Sequence, residues 1–387
     1  MAEPSTSPGT RPAYGVAHTA AASVHAHFAR HVDPVAGLMI QNGLPLPDRE
    51  TMEGVLDAVF WASLRREEGY VPKLSLALLP PDAIPNAMRF ERPLPLTPTW
   101  LTRLAPAVER PGIHLGAWRD GEALSVWGTI RAIPRYCPVF EIVGPGLLVV
   151  KHRRGEQSGK FVNVAVVEGD EVKVIDEHAS SLPDCPPLVS ALVGFDAPTS
   201  WADTMNVLVE LAVSMRAHGR GGSLLVVPSA HEGWRESIVH PILYSVSPPF
   251  SELAELIGEA VAELHHGRGE DSLRHVMEAV AGLTAVDGAT VLNDRYELLA
   301  FGAKIGRRKG QPQVERVAVT EPIEGTVAKF LHPIEIGGTR HLSAAQFVHD
   351  QRDATALVAS QDGRFTIFAW SPCDEVVYAH RVETLLL

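Results

Sequence analysis

Between residues 112 and 177 the chain is cut into six short β-like runs, and this punctuation limits its first half more than any other feature. The runs are 113–118, 123–131, 139–142, 147–152, 161–168 and 171–176. Arg119-Asp120-Gly121, Gly144-Pro145-Gly146, the loop 153–160 and Gly169-Asp170 divide them as turn signals divide strands. Short strands this close in sequence predict a β-meander. Upstream, 16–31 is Ala-rich and free of Pro, which predicts a helix. A second helix is expected at 48–68, where Met52, Val55, Leu56, Val59, Phe60 and Leu64 recur at helical spacing. A strand at 74–79 is stopped by Pro80, Pro81 and Pro85, and Pro93, Pro95 and Pro98 punctuate the stretch after it. A short helix is expected at 99–108. Behind a flexible lead-in, 1–15, these elements predict an N-terminal α+β domain over 16–185.

The pattern changes near residue 199. Helix 202–218 gives way to the glycines of 219–222 and an apolar strand, 223–227. Helices are expected at 251–265 and 271–281, strands at 290–292, 297–302, 354–360 and 365–370, and a short helix at 343–349. Helices alternating with apolar strands predict an α/β domain over 201–387, a central mixed sheet flanked by helices. The Ser- and Pro-rich stretch 180–187 is the best linker candidate, with the linker itself expected over 186–200.

Charge narrows the partners. With 34 basic and 46 acidic residues the formal net charge is −12, unsuited to a long nucleic acid or an anionic membrane. A small anion needs only local basic groups. Cys137, Cys185 and Cys373 form no CxxC pair, so neither a zinc ribbon nor a disulfide framework is expected. The sparse thiols suit a reducing cytoplasm. The first twelve residues lack the features of a signal peptide. The longest apolar runs, such as 147–150 and 224–227, are too short to cross a bilayer. A cytoplasmic protein is expected.

Two segments in the second half have the composition of a phosphate site. Asp287-Gly288-Ala289 offers a carboxylate for a divalent cation beside a glycine that admits close backbone approach. Gly337-Gly338-Thr339-Arg340-His341 offers a planar guanidinium and a turn leading into a helix, whose first N–H groups favour anions. Spacing alone makes this a weak signal, and ordinary turns explain it as well.

The order of segments across 202–371 resembles the diadenylate cyclase (DAC) domain family. That family opens with a helix, a glycine turn and a strand, here ending GRGGSLLVV. A DGA motif comes next, in AVDGATVL, then a strand with a small-residue bend, LLAFGAKI. The family's GTRHR motif reads Gly338-Thr339-Arg340-His341-Leu342, and the strand pair DATALVASQDGRFTIFAW closes the domain. Leu342 replaces the motif's second arginine, and Ser360-Gln361-Asp362-Gly363 keeps one acid where the family commonly has two. The segments 228–285 and 306–337 are longer than usual for the family. These departures, with LTRLAPAV at 101–108 and LSVWG at 124–128, resemble the divergent group described as probable sensors, the DACNV type.

The resemblance implies a nucleotide pocket for ATP or a cyclic dinucleotide. By position Asp287 would be the catalytic residue and metal ligand, holding Mg²⁺ or Mn²⁺. Gly288 and Ala289 would lie against the nucleotide. Gly338, Thr339, Arg340, His341 and Ser343 would bind it, chiefly through phosphate. Arg307-Arg308-Lys309 is either replacement charge for Leu342 or a solvated loop tip. The resemblance leaves three functions open: a sensor of a nucleotide second messenger, favoured by Leu342; an active cyclase joining two ATP molecules; or a scaffold that binds no ligand. A face-to-face homodimer is expected with the cyclase.

Other residues have plainer readings. His25 and His27 point in different directions on a helix, so a metal cluster with His31 is not expected. His265-His266 suits a helix C-terminus. Trp118 and Trp127 read as core. His231 and Glu232, after strand 223–227, are minor candidates for ligand contact.

Overall fold

The structure is a computed structural model. It describes residues 13–31, 39–40, 44–121, 123–153, 161–176, 186, 188–189, 192, 204–262 and 269–387. Two compact units divide the chain, Met1–Ile175 with Leu387, and Asp176–Leu386. Each is mixed α/β, built on one large mixed sheet flanked by helices. The linker candidate 180–187 lies outside the described residues except for Pro186.

The first unit opens with α1 (Ala17–Ala29), a two-stranded ribbon of β1 (Met39–Ile40) and β2 (Leu44–Pro45), and α2 (Arg49–Ser63). Asp48 caps α2 by accepting the Thr51 N–H at 2.7 Å, which fixes its start at the expected place. Next come β3 (Leu74–Leu78), β4 (Met88–Pro95), α3 (Pro98–Val108), β5 (His114–Asp120), β6 (Ala123–Ile130), β7 (Val139–Gly144), β8 (Leu147–Arg153), β9 (Phe161–Glu168) and β10 (Glu171–Val174). The sheet order is β10-β9-β8-β7-β3-β5-β6-β4. The expected meander therefore holds only for β7 to β10. All five residues of β3 are buried. A fully buried strand belongs in the middle of a sheet, and β3 sits there, parallel to β5 and antiparallel to β7, with its one polar side chain, Ser75, bonded to His114. The prolines at 93 and 95 do not prevent β4. It is the edge strand on β6, its register shifting between Arg89 and Leu94, and an edge tolerates proline.

The helices cover one face of this sheet, with Val24 and Phe28 of α1 and Met52, Val55, Leu56 and Val59 of α2 in one cluster with Leu76, Phe140 and Val150. On β5 and β6, Gly116 and Gly128 face each other in register. A Cβ on Gly116 would meet the Trp127 ring at 2.4 Å, and one on Gly128 would meet the Met88 carbonyl oxygen at 2.2 Å. The Trp127 indole donates to the Leu79 carbonyl at 2.9 Å. The Trp-Gly step of LSVWG is thus a packing device: the indole fills the space that Gly116 vacates.

The second unit runs α4 (Thr204–Ala217), β11 (Gly222–Val227), β12 (Tyr244–Phe250), α5 (Glu252–Ala262), α6 (Gly269–Leu283), β13 (Ala289–Asn293), β14 (Leu298–Ala303), β15 (Val317–Thr320), β16 (Lys329–Leu331), α7 (Pro333–Ile336), α8 (Thr339–Asp350), β17 (Thr355–Ala359), β18 (Phe365–Ser371) and β19 (Val376–Arg381). Its nine strands are ordered β12-β14-β13-β11-β17-β18-β19-β15-β16. β11 is parallel to β13 and antiparallel to β17. Successive residues of β11 face opposite ways. Leu224 joins the cluster under α4, α5 and α6, and Leu225 the cluster under α8, which gives three layers. The sequence reading lacks β12, β15, β16 and β19. β12 and β16 are edge strands, and β15–β16 lies inside the long segment 306–337.

Gly116→Val keeps an allowed backbone but drives a side chain into Trp127. We expect a loss of about 1–3 kcal/mol of stability, seen as a lower denaturation midpoint for the first unit. Burial pushes His114, beside Ser75, and His380, beside Thr320, each down to about 4. The unfolded chain, with ordinary histidines, binds more protons between pH 6.5 and 4. Stability present above pH 6.5 is therefore lost as pH falls toward 4, by about 3 kcal/mol for each histidine. His380→Phe should remove its share of that slope in denaturation curves at pH 7 and 4.5.

Candidate functional site

The parallel pairing of β11 and β13 builds the site. Parallel strands begin at the same edge of a sheet, so the turn before β11 and the turn before β13 are neighbours. The first is Gly219-Arg220-Gly221, with Gly219 and Gly221 at φ +65° and +72°. The second is Val286-Asp287-Gly288, with Gly288 at φ +121°. A Cβ on Gly288 would lie 2.4 Å from the Gly302 carbonyl carbon, so only glycine fits. Gly302 is itself at φ +59°, with the Tyr244 ring over it.

Arg340, in the first turn of α8, reaches the same edge. Its Nη1 lies 2.9 Å from where a Cβ of Gly221 would stand, beside the Ala359 carbonyl and Gln361. Asp287 is almost fully exposed and pairs with Lys304. A hydrogen bond and charge attraction from Lys304 hold its carboxyl below the usual range, with a smaller pull from Arg340. His218 stands nearby, donating to Thr284 at 3.2 Å while its Nδ1 accepts from the Arg220 N–H at 3.1 Å. Burial lowers its pKa first, and the charges of Arg220 and Arg340 lower it further. The edge thus sets Lys304 and Arg340 around one ionised carboxylate, with Arg220 beside His218.

The remaining motif residues divide. Ala289 is buried as the first residue of β13. Gly338 and Thr339 are exposed where α8 starts, and no side chain caps that helix. Arg340 and Ser343 are half-buried. His341 is buried, its ring packed on Gly337 and edge-on to Phe368. Its Nε2 has no hydrogen-bond partner, and burial above all lowers its pKa. In this arrangement His341 is a neutral core side chain. Leu342, in the place of the motif's second arginine, is half-buried against the apolar cluster under α8.

The minor candidates lie elsewhere. β11 spans about 17 Å at 3.3 Å per residue, and His231 comes after its far end. There His231 pairs with Asp353 at 2.8 Å and Glu232 with Arg235 at 3.0 Å. Arg308 donates through its backbone to Asp350, the last residue of α8, at 2.7 Å. Arg340 is ten residues earlier, about 15 Å along the helix, so Arg308 does not replace the charge missing at Leu342. The sequence reading does not single out Lys304, Arg220 or His218. The first two flank recognised segments, GAKI and GRGG, and a search for cations beside those glycines finds them.

Asp287 meets the requirement for Mg²⁺ or Mn²⁺. It is an ionised, exposed oxygen ligand, and such ions commonly take one or two carboxylates together with phosphate. Lys304 is the competitor that a cation must displace. Among the described residues of the first unit, a group of histidines converges. His27, His31 and His152 each bring a ring nitrogen within 4.8 Å of the others. The spacing of 27 and 31, four residues apart, is the signal in the sequence. Weighing His25 with His27 obscures it.

No helix among the described residues is long and apolar enough to cross a membrane. No curated protein matches the chain. Residues 41–131 match the family described as the probable sensor domain DACNV. The match contains the segments 101–108 and 124–128 that carried the resemblance in the first half, and it stops before the second unit. The comparison thus supports a likeness to this family of probable sensor domains over residues 41–131.

Proposed function

We propose that the second unit is a nucleotide-binding domain of diadenylate cyclase type, and that the DACNV domain in the first unit is its sensor. The observation that carries the reading is the convergence of Arg340 on the Gly221 turn, at the edge where Asp287 stands. Glycine backbone, a guanidinium fork and an uncapped helix start make a cradle for phosphate oxygens. Asp287 would hold Mg²⁺ or Mn²⁺, which supplies charge neutralisation to a triphosphate. The ligand class is ATP or a cyclic dinucleotide.

The position of the family match favours a second reading, an active cyclase. With the sensor at 41–131, the second unit is free to be the output, and Asp287 is exposed and ionised. By resemblance, two such domains would face each other as a homodimer, each 3′-hydroxyl losing its proton as its oxygen attacks the other nucleotide's α-phosphate, breaking the α–β anhydride bond and releasing pyrophosphate. Against this stands Leu342, which removes one charge-assisted contact.

Calorimetric titration with ATP and a panel of cyclic dinucleotides and oligonucleotides tests the first reading. One class should bind, and Arg340→Ala should weaken it at least about tenfold, as expected for a lost charge-assisted hydrogen bond. No binding by any of them leaves the non-binding scaffold. The second reading predicts a cyclic or linear dinucleotide from labelled ATP with Mg²⁺ or Mn²⁺. Asp287→Asn should abolish that product while metal-independent nucleotide binding survives.

A further inference from the structure

We infer that His27, His31 and His152 form a binding site for a transition metal of the Zn²⁺, Cu²⁺ or Ni²⁺ class. The site lies within the first unit and does not rest on the nucleotide reading. His27 occupies the last turn of α1, and His31 comes next in a turn closed by its N–H on the Phe28 carbonyl at 3.0 Å. Four residues apart, the two imidazoles share a face. His152 comes from β8. The ring centroids are 5.2 Å (His27–His31), 5.4 Å (His27–His152) and 6.1 Å (His31–His152) apart.

One ring nitrogen from each histidine lies within 4.8 Å of the other two. Zn–N bonds of about 2.0 Å place tetrahedral ligand nitrogens about 3.3 Å apart. Small side-chain rotations of two rings close the difference. His27 and His152 are each only 3% exposed, so the cluster is built into the fold and is not a chance surface group.

The surroundings orient the rings. His152 Nδ1 lies 3.2 Å from the Arg153 carbonyl oxygen. That oxygen can only accept, so Nδ1 carries the proton and, in the neutral ring, Nε2 is the nitrogen able to ligate a metal. The same carbonyl accepts the Tyr136 N–H at 2.9 Å. Tyr136, at φ +57°, stacks on His31 with centroids 4.5 Å apart. Arg30 Nη2 contacts His27 Nδ1 at 3.3 Å. A neutral imidazole has one lone pair, so a metal on Nε2 ends that contact. Arg30, and Arg135 over the Tyr136 ring, oppose any cation. The metals that bind neutral imidazole strongly are therefore the ones selected. Hard ions such as Mg²⁺, Ca²⁺ and Mn²⁺ prefer oxygen ligands and are excluded. Among the described residues three histidines supply the ligands, and a fourth position would go to water or another group.

The full chain, stripped with a chelator, is titrated with Zn²⁺ by calorimetry and with Co²⁺ by visible absorption. We expect one equivalent of Zn²⁺ bound below about 1 μM and the intense bands of tetrahedral Co²⁺. His31→Ala and His152→Ala should each weaken binding at least about tenfold, while His231→Ala leaves it unchanged. If His152→Ala fails to fold, the half-buried His31→Ala decides. The inference is overturned if the folded wild type takes up none of Zn²⁺, Cu²⁺ and Ni²⁺ stoichiometrically, or if His31→Ala binds Zn²⁺ as the wild type does.

Discussion

Everything at the candidate nucleotide site depends on two strands running the same way. Because β11 and β13 are parallel, the glycine turn at 219–221 and the turn at 286–288 open onto one edge. An antiparallel pair would set them about 17 Å apart, the length of β11 at ordinary rise. This constraint explains the glycines. Gly288 must pass the Gly302 backbone, and Gly221 must leave room for the Arg340 guanidinium. A side chain at either position would also need a left-handed backbone that L-residues resist. The arginine reaches the edge because α8 lies across the sheet on Ala344, Ala345, Phe347 and Val348, which pins its first turn there.

Much of this was legible in residues 219–227, 285–292 and 338–341, since local glycine chemistry and strand character coincide there. What was not legible depends on contacts distant in sequence. β3 splits the expected meander because a strand buried on both faces competes best for the sheet centre, and no local pattern records which strands it displaces. β12 and β16 are short edge strands held by pairing, with Pro248 and Pro249 hiding the first. The same limit applies to single residues. His341 reads as a phosphate ligand from its motif but packs beneath Gly337. Lys304, just past the expected strand 297–302, draws no reading but pairs with Asp287. His231 comes after an apolar strand as a ligand loop would, yet it lies at the wrong end.

The net charge of −12 looks hostile to a phosphate ligand, and distance resolves the conflict. Charges more than about 8–10 Å apart are largely screened at physiological salt. A small anion therefore responds to the groups beside it: Arg220, Arg340, Lys304 and the first N–H groups of α8. Asp287 partly offsets them, and Lys304 partly offsets Asp287. The balance differs for a long polyanion, which would extend beyond this patch onto the acidic remainder of the surface. The net charge is therefore compatible with the proposed nucleotide ligand.

α1, on which the proposed metal site bears, lies outside residues 41–131 and is more lightly packed than α2. It buries mainly small side chains, Ala17, Ala20 and Ala21, with Val24 and Phe28 as its larger anchors. α2 buries Met52, Val55, Leu56, Val59 and Phe60. Hydrophobic stabilisation scales with the apolar area removed from water, so α1 is the more weakly held of the two. The histidines sit where this helix ends, and His152 belongs to a strand interior to the sheet. A metal bridging them would tie the end of a lightly anchored helix to a firmly anchored strand. Its loss would return that helix end to the support of packing alone. Metal occupancy would thus be coupled to the position of one helix end, which is the kind of change a folded unit can pass on.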